Sequence, residues 1–217
     1  MTIKISAGNS KLGKKVYNIS LPPAMTCGDT APCKDMCYAR KAWVQYANVR
    51  NAWTENWEAF DMDPVKYFNE IIATCLRKGV DRFRWHVAGD IPKGADGFTY
   101  LAGMVKVAIH CPATDFLCFT KNPYVLNRSI LACMPSNLKL IFSMWPGLLK
   151  DRTTIDYAEG QAPLPLAWYK PKECSDRAYN QAIEVAEFMS TDCNGKCDDC
   201  FKCWYMEPGM SVLFEEH

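Results

Sequence analysis

Short apolar segments alternate with longer amphipathic stretches along most of this chain. The pattern predicts strands at residues 16–20, 82–88, 115–120, 138–143, 164–169 and 211–215, and helices at about 34–60, 64–78, 98–110 and 123–133. Residues 176–190 fit either type of element. Strand–helix alternation with short connections is typical of parallel strands joined by right-handed crossovers. The sequence therefore predicts an α/β fold, a (β/α) barrel that is incomplete or irregular, formed by one domain over residues 1–217.

The first two predicted helices carry further signals. Aromatic side chains form a rough stripe along the helix at 34–60 and are expected to pack in the core: Tyr38, Trp43, Tyr46, Trp53 and Trp57. Asp63 and Pro64 are typical of a helix start, and Gly79 is typical of a helix end. These signals place the second helix at 64–78.

Composition narrows the range of partners and locations. With 217 residues, 49% apolar content and a net charge of +1, the chain can bury a full core and has no overall attraction to nucleic acid or membrane. Residues 1–28 contain four lysines and no acidic residue, which leaves a nucleic-acid contact as the weaker alternative. There is no signal-peptide core and no run of 18 apolar residues, so a cytoplasmic location with reduced thiols is expected. Disulfides of a secreted protein are the alternative.

Four of the twelve cysteines lie within eleven residues, in a cysteine-rich segment at about 190–205. We refer to Cys193, Cys197, Cys200 and Cys203 as the quartet. Thiols at this density are typical of a metal centre. The last three are spaced C-x2-C-x2-C, which is the ferredoxin-type arrangement for three corners of a [4Fe–4S] cluster. A [3Fe–4S] cluster would use the same site with one iron fewer.

Zinc is the competing metal for the quartet. Structural zinc sites usually combine two C-x2-C pairs that are separated by a dozen or more residues. No such gap exists here, and a zinc site using all four thiolates would bend the backbone strongly. The spacing therefore favours iron–sulfur, and it leaves open whether Cys193, Cys203 or a cysteine from elsewhere completes the cluster.

A second set of cysteines, which we call the trio, follows the first predicted strand: Cys27, Cys33 and Cys37. Cys33 and Cys37 are four residues apart at a predicted helix start, where unpaired backbone N–H groups favour thiolates. The trio is a candidate ligand set for iron–sulfur or zinc, and a candidate source of the fourth corner for the quartet. The other cysteines are expected to be small buried hydrophobes (Cys75, Cys111, Cys118 and Cys133) or a weak ligand candidate (Cys174).

Two predicted strands end in residues that suit a cofactor or an anion. Gly89 and Asp90 can present backbone amides and a carboxylate, and Lys121 can meet a negative charge. An ordinary tight turn and a solvated lysine are the alternatives. In (β/α) barrels the active site lies at the C-terminal ends of the strands, where these residues are expected.

These features resemble those of the radical S-adenosylmethionine superfamily, which uses a partial (β/α) barrel with cluster cysteines after strand one. The turn from Gly89 to Pro92 is similar to that family's Gly-Gly-Glu-Pro turn, which meets the amino group of the cofactor. The trio has the spacing C-x5-C-x3-C, whereas the superfamily has C-x3-C-x2-C; Cys193, Cys197 and Cys200 have the latter spacing. The resemblance implies S-adenosylmethionine bound at an open iron.

A second resemblance covers most of the chain. The sequence is similar to bacteriophage-encoded proteins named gene product eighty-eight. The matching elements are residues 8–13, the trio followed by Tyr38 and Ala39, Trp85 and His86 before Gly89 and Asp90, Cys200 to Trp204, and the final Val212, Phe214 and His217. This resemblance implies an iron–sulfur protein with Cys200 and Cys203 among the ligands.

The leading hypothesis is a phage-type iron–sulfur cluster-binding protein with the cluster at the barrel mouth. Its role would be redox, sensing or modulation of the host, with an electron donor or a host protein as partner and the infected bacterial cytoplasm as location. The alternatives are a radical S-adenosylmethionine-type enzyme and a zinc-binding interaction module. The sequence points to no substrate, so it leaves open whether the protein is an enzyme.

Overall fold

A computed structural model describes residues 2–9, 12–27, 33, 37–122, 131–148 and 164–215. The strands are β1 (Ser6–Ala7), β2 (Val16–Ile19), β3 (Arg82–Trp85), β4 (Asp115–Thr120), β5 (Leu138–Met144), β6 (Leu166–Lys170), β7 (Ser190–Asp192) and β8 (Ser211–Glu215). The helices are α1 (Pro23–Thr26), α2 (Tyr38–Gln45), α3 (Ala47–Met62), α4 (Pro64–Lys78), α5 (Ala95–His110), α6 (Arg177–Met189) and α7 (Cys197–Cys200), and a 3₁₀ helix spans Lys202–Tyr205.

The strands form one sheet in the order β1-β2-β3-β4-β5-β6-β8-β7. All neighbouring pairs are parallel except β1 and β2, which are antiparallel. The predicted α/β fold with parallel strands is confirmed. Barrel closure stays a prediction, since β1 and β7 lie at opposite ends of the strand order in the described part of the chain.

Most predicted strands agree with the structure to within a few residues, and the ambiguous stretch at 176–190 is the helix α6. The strand predicted at 82–88 ends early, at Trp85, because the next residue, His86, has a left-handed φ of 55°. The helix predicted at 98–110 begins earlier, at Ala95. The strands β1 and β7 were not predicted, since two or three residues are too few for a periodic signal. The helix predicted at 123–133 lies mostly outside the described residues.

The single helix predicted at 34–60 is wrong. The chain leaves helical geometry at Tyr46, where φ is −117° and ψ is 109°, so α2 and α3 are separate. Two members of the aromatic stripe are largely exposed, Tyr38 at 65% and Tyr46 at 49%, although the Tyr38 hydroxyl donates to the Val87 carbonyl. Trp43 and Trp53 stack on each other across the break, with ring centroids 6.1 Å apart.

The end signals of α4 are confirmed. Its N-cap carboxylate, on Asp63, accepts a hydrogen bond from the Lys66 N–H at 2.9 Å, which satisfies a free donor of the first turn. Gly79 ends the helix in the left-handed conformation, with φ of 57°. This helix and its neighbours α3, α5 and α6 pack on one face of the sheet.

Alternating side chains divide the sheet between two environments. One face, which we call the helix face, includes Phe83 and Trp85 of β3 and packs against α3, α4, α5 and α6. The opposite face, which we call the cysteine face, includes Leu117 of β4 and Ile141 of β5, and it is covered by the chain between β7 and β8. The cysteine-rich segment is therefore built into the core.

The scattered cysteines divide into two groups. As predicted, Cys75, Cys111 and Cys118 are buried, but Cys133 is exposed, because it lies in the loop that leads into β5; Cys174 is half-buried. Among the described residues, no helix combines the length and the apolar character that crossing a membrane requires.

A glycine at the contact between α4 and α5 provides a test of the helix face. A Cβ on Gly103 would lie 2.0 Å from Cε2 of Phe68, so Gly103→Ala must displace a buried ring. Helix propensity alone would make this substitution stabilising by about 1 kcal/mol. We expect the steric clash to outweigh the gain in helix propensity and to lower the free energy of unfolding, measured by urea denaturation, by roughly 1–2 kcal/mol. The exposed neighbour provides the control: Ala102→Gly should cost only about 0.5–1 kcal/mol. A Gly103→Ala protein that is more stable than wild type would contradict this packing.

Candidate functional site

The trio, Asp90 and Lys121 come together where three parallel strands end. The trio lies after β2, Asp90 follows β3 and Lys121 follows β4. The Lys121 ammonium interacts electrostatically with Cys33, Asp90 and Cys27. The convergence follows from topology, because parallel neighbours place their C-terminal ends at one edge of the sheet.

Within the trio, one thiol stabilises the charge of another. A hydrogen bond from the Cys33 thiol lowers the pKa of Cys37 to about 6, against the opposing effect of burial. The same bond raises the pKa of Cys33, the donor. Burial and the charge of Asp90 raise the pKa of Cys27 to about 12. In the metal-free protein, Cys37 is therefore the thiolate of the trio.

Lys121 supplies a positive charge to this edge of the sheet. Burial disfavours its ammonium form, but the nearby acidic groups, the Asp90 carboxyl among them, outweigh that effect and raise the pKa of Lys121. Its Nζ also lies 5.3 Å from the centre of the Trp145 ring, within the range of a cation–π interaction. Lys121 is half-buried here, and its role in binding an anion stays a prediction.

Asp90 has a structural role in joining two strand ends. Its Oδ1 accepts the N–H of Ile91 at 2.7 Å, and its Oδ2 accepts the N–H of Lys121 at 2.8 Å. The whole residue is 6% exposed, and burial raises the pKa of its carboxyl. Gly89 has φ of 83°, and a Cβ there would lie 2.8 Å from the Leu21 carbonyl oxygen. Both residues thus fix the turn after β3; their role in binding a cofactor stays a prediction.

The chain between β7 and β8 crosses the cysteine face. It begins where the Cys193 N–H donates to the Leu213 carbonyl of β8 at 2.9 Å. It is anchored near its end by Trp204, which is buried and donates its indole N–H to the Asp115 carbonyl of β4 at 3.1 Å. Between them, Phe201 has a left-handed φ of 48°, which turns the chain between α7 and the 3₁₀ helix. The quartet thiols are thus half-buried, and Cys193, Cys197 and Cys203 pack against the cysteine face of the sheet.

The quartet thiols are close enough to influence one another. Burial raises the pKa of Cys203 to about 12, and the charges of Cys193, Cys197 and Cys200 add to the increase, whereas Arg84 opposes it. The pKa of Cys197 is raised in the same way. The Gly195 N–H donates to the Cys193 sulfur at 3.4 Å. An amide donor of this kind stabilises a charged sulfur ligand.

Two arginines of β3 face the quartet, and the sequence reasoning missed them. Arg82 and Arg84 alternate with Phe83 and Trp85, so both guanidinium groups lie on the cysteine face. Arg82 stacks on the Phe201 ring at 3.9 Å and donates to the Tyr205 hydroxyl at 3.0 Å. The alternation of arginine and aromatic residues in β3 could have indicated them, because it places two positive charges on the same face of a central strand.

The donor chemistry of both cysteine sets fits a soft metal. Thiolates select zinc, copper(I) and iron–sulfur clusters. Within the described ranges, no three His, Cys, Asp or Glu side chains are arranged to hold a metal ion. The fit therefore rests on the donor type, the nearby cations and the amide donor at Cys193, and not on a preformed arrangement of ligands. Supply of a fourth corner by the trio stays a prediction.

The hydrogen bond between Cys33 and Cys37 predicts an unusual alkylation profile. In reduced, metal-free protein, about nine-tenths of Cys37 should be thiolate at pH 7, so its reaction with iodoacetamide should rise through pH 6 and then level off. Peptide mass spectrometry measures the rate at each pH.

Two substitutions of the donor test the cause of this profile. Cys33→Ala removes the donor and should move the Cys37 midpoint upward by a pH unit or more, roughly the value of one charge-assisted hydrogen bond. Cys33→Ser keeps a hydroxyl donor and should keep a lower midpoint than Cys33→Ala. A pH midpoint of Cys37 alkylation near the ordinary thiol pKa of about 8.5 in all three proteins would contradict the hydrogen bond from Cys33 to Cys37.

Comparison with known proteins gives one relation. A family model described as Gene product 88 matches residues 3–205, which include the trio, the strand ends and the quartet. No match was found among curated proteins or among solved structures. Because the match extends over most of its length, this chain belongs to the gene product 88 family.

Proposed function

We propose that this protein binds an iron–sulfur cluster through the quartet. The single observation that carries the proposal is the placement of four half-buried thiols in one short segment, three of which, Cys193, Cys197 and Cys203, pack against the cysteine face. Buried thiols that repel one another as thiolates need a positive centre to stay ionised together. Without a bound cluster, the chain between β7 and β8 would place four thiols at positions where apolar side chains would pack better.

Iron–sulfur is favoured over zinc for reasons of spacing and hydrogen bonding. Cys197 and Cys200 lie at the two ends of the single turn α7, and Cys203 follows in the 3₁₀ helix, so three ligands come from a compact unit. The amide of Gly195 already points at the Cys193 sulfur. A cluster held here, with [4Fe–4S] the expected type and [3Fe–4S] its iron-poor form, would store or pass one electron in a redox or sensing role.

The protein's own contribution is to shield and to orient this centre. Trp204, in the segment, and Met206, just after it, are buried against the sheet and keep water from that side. The backbone bond from Cys193 to β8 and the indole bond from Trp204 to β4 fix both ends of the loop. The quartet remains partly exposed on its outer side, where an electron partner or a host protein could approach.

A second candidate function is radical S-adenosylmethionine chemistry at the trio. It is favoured by the position of three cysteines beside Asp90 and Lys121 at the C-terminal ends of β2, β3 and β4. Three thiolates would leave one iron of a cluster open to the cofactor. In this arrangement, Lys121 would hold the trio as thiolates, and the turn at Gly89 and Asp90 would shape one wall of the cofactor site.

Iron analysis of cysteine variants tests the quartet. Anaerobically purified wild-type protein should be brown and contain about four iron atoms per chain for each cluster. Cys200→Ala and Cys203→Ala should each remove most of the iron that the quartet holds, and comparing Cys193→Ala with Cys197→Ala identifies the remaining ligand. The control is Cys133→Ala, because that cysteine is exposed and lies outside both sets. Full iron in a protein lacking both Cys200 and Cys203 would refute the assignment.

Cofactor cleavage tests the second candidate. With dithionite as electron source and added S-adenosylmethionine, the wild-type protein should release methionine and 5′-deoxyadenosine, which chromatography detects. Cys37→Ala should reduce the rate by at least about a hundredfold, since it removes a ligand of the reacting centre. Cys200→Ala should keep the trio's iron. Absence of 5′-deoxyadenosine from wild-type protein with a filled trio site would exclude this chemistry and leave the quartet proposal standing.

A further inference from the structure

The outer surface of α2 and of its junction with α3 combines positive charge with exposed aromatic rings. Residues 36–54 contain three cations and no acidic residue, although the whole chain has a net charge of only +1. Arg40 and Lys41 are exposed on α2. Tyr38 at the start of this helix and Tyr46 at its end are exposed as well. We refer to these four residues as the aromatic–basic surface.

The break between α2 and α3 holds one end of this surface in a fixed shape. The Arg50 guanidinium group donates to the carbonyls of Trp43 and Val44 at 3.2 and 3.4 Å, which satisfies acceptors at the end of α2. The rings of Trp43 and Trp53 stack across the break. Tyr46 therefore lies on a supported corner of the chain, so little conformational entropy is lost when a ligand covers its ring.

The other end of the surface is anchored to the sheet. The Tyr38 hydroxyl donates to the Val87 carbonyl, just after β3, while the residue stays exposed. A tyrosine that is held by its hydroxyl offers a flat apolar ring at a fixed position. The aromatic–basic surface thus continues to the edge of the sheet at which the trio lies.

The lysines near the N-terminus are in a different electrostatic environment, because acidic groups lie next to them. Lys4 forms an ion pair with Glu55 at 3.3 Å. Lys14 and Lys15 line a cleft together with the two aspartates of α7. Carboxylates at these positions compete with any anionic ligand. These lysines are therefore a weaker site for an anion than the exposed face of α2.

We propose that the aromatic–basic surface binds single-stranded nucleic acid. Its cations meet phosphates and its tyrosine rings stack on unpaired bases, which are the two contacts by which proteins hold single strands. A duplex keeps its bases stacked on one another and would meet only the cations. A membrane surface fits less well, since Tyr38 and Val44 are the exposed large apolar side chains of α2 and are too few for a buried apolar face. The binding requires no metal, so it is independent of the proposed function.

Fluorescence anisotropy with the full-length, anaerobically purified protein tests this inference. The probe is a labelled DNA strand of about 16 nucleotides, used alone, annealed to its complement, and as RNA of the same sequence. At about 50 mM salt, the single strand should bind at least about fivefold more tightly than the duplex, because stacking adds to charge. Raising the salt to about 200 mM should weaken binding about tenfold, as expected for two or three phosphate contacts.

Charge variants locate the site. Lys41→Glu should weaken single-strand binding at least about tenfold and lower the salt slope by about one. The matched control is Lys66→Glu, which makes the same charge change in the exposed first turn of α4, where glutamate suits the helix start. It should stay within about twofold of wild type, because the 16 residues of α3 span about 24 Å and salt screens charges over that distance.

Ring variants test stacking separately from charge. Tyr46→Ala should weaken single-strand binding at least about fivefold, since it removes one stacking ring. Tyr46→Phe keeps the ring and should bind like wild type. Thermal unfolding and iron content of every variant are measured in parallel, so that lost binding is scored only in folded protein.

Several outcomes would overturn the inference. Duplex binding as tight as single-strand binding would leave charge alone and exclude stacking, and this comparison needs only wild-type protein. Equal weakening by Lys41→Glu and Lys66→Glu would attribute binding to net charge and not to α2. Sedimentation with phosphatidylserine vesicles, in the absence of any oligonucleotide binding, would assign the surface to an anionic membrane instead.

Discussion

The central strands of this sheet bury side chains on both faces, and in the described part of the chain the four helices α3, α4, α5 and α6 pack on one of them. On the helix face, aromatic side chains such as Phe83 and Trp85 pack against α4 and α5. The other face is completed by a short irregular segment that contains the quartet. The position of the cysteines is therefore a consequence of core formation, since the residues that seat the segment, above all Trp204, also bury the sheet.

Each cysteine set has its own cation, and both cations come from the strands. Lys121 follows β4 and serves the trio, whereas Arg84 belongs to β3 and faces the quartet. Tyr38 interacts with both cations, and its hydroxyl donates to the Val87 carbonyl after β3. The two sets are thus separate electrostatic units with a common tyrosine beside them. Adjacent parallel strands make this possible, because they hold Arg84 and Lys121 side by side in the same sheet.

Those parts of the structure that depend on local signals could be predicted from the sequence. Apolar runs located the parallel strands, and Asp63 with Gly79 located both ends of α4. The sequence also predicted that the trio, Asp90 and Lys121 would lie at the same edge, because the C-terminal ends of neighbouring parallel strands lie side by side. By contrast, the break at Tyr46 has no proline or glycine to mark it, and the Arg50 side chain donates across it to the carbonyls of Trp43 and Val44. The internal hydrogen bonds of Asp90 could not be predicted, since they depend on how the turn after β3 meets the end of β4.

The order of the last strands has a consequence for biosynthesis. β8 follows β7 along the chain, yet it lies between β6 and β7 in the sheet. During synthesis on the ribosome, β6 and β7 are made before β8, so the position between them in the sheet is still empty when they emerge. The quartet also emerges before β8, the strand that fills this position. Because Cys193 is fixed by the backbone of β8, its thiol reaches its final place only when that strand has been inserted. The nascent chain therefore carries the quartet thiols without their final backbone contact until β8 has been inserted.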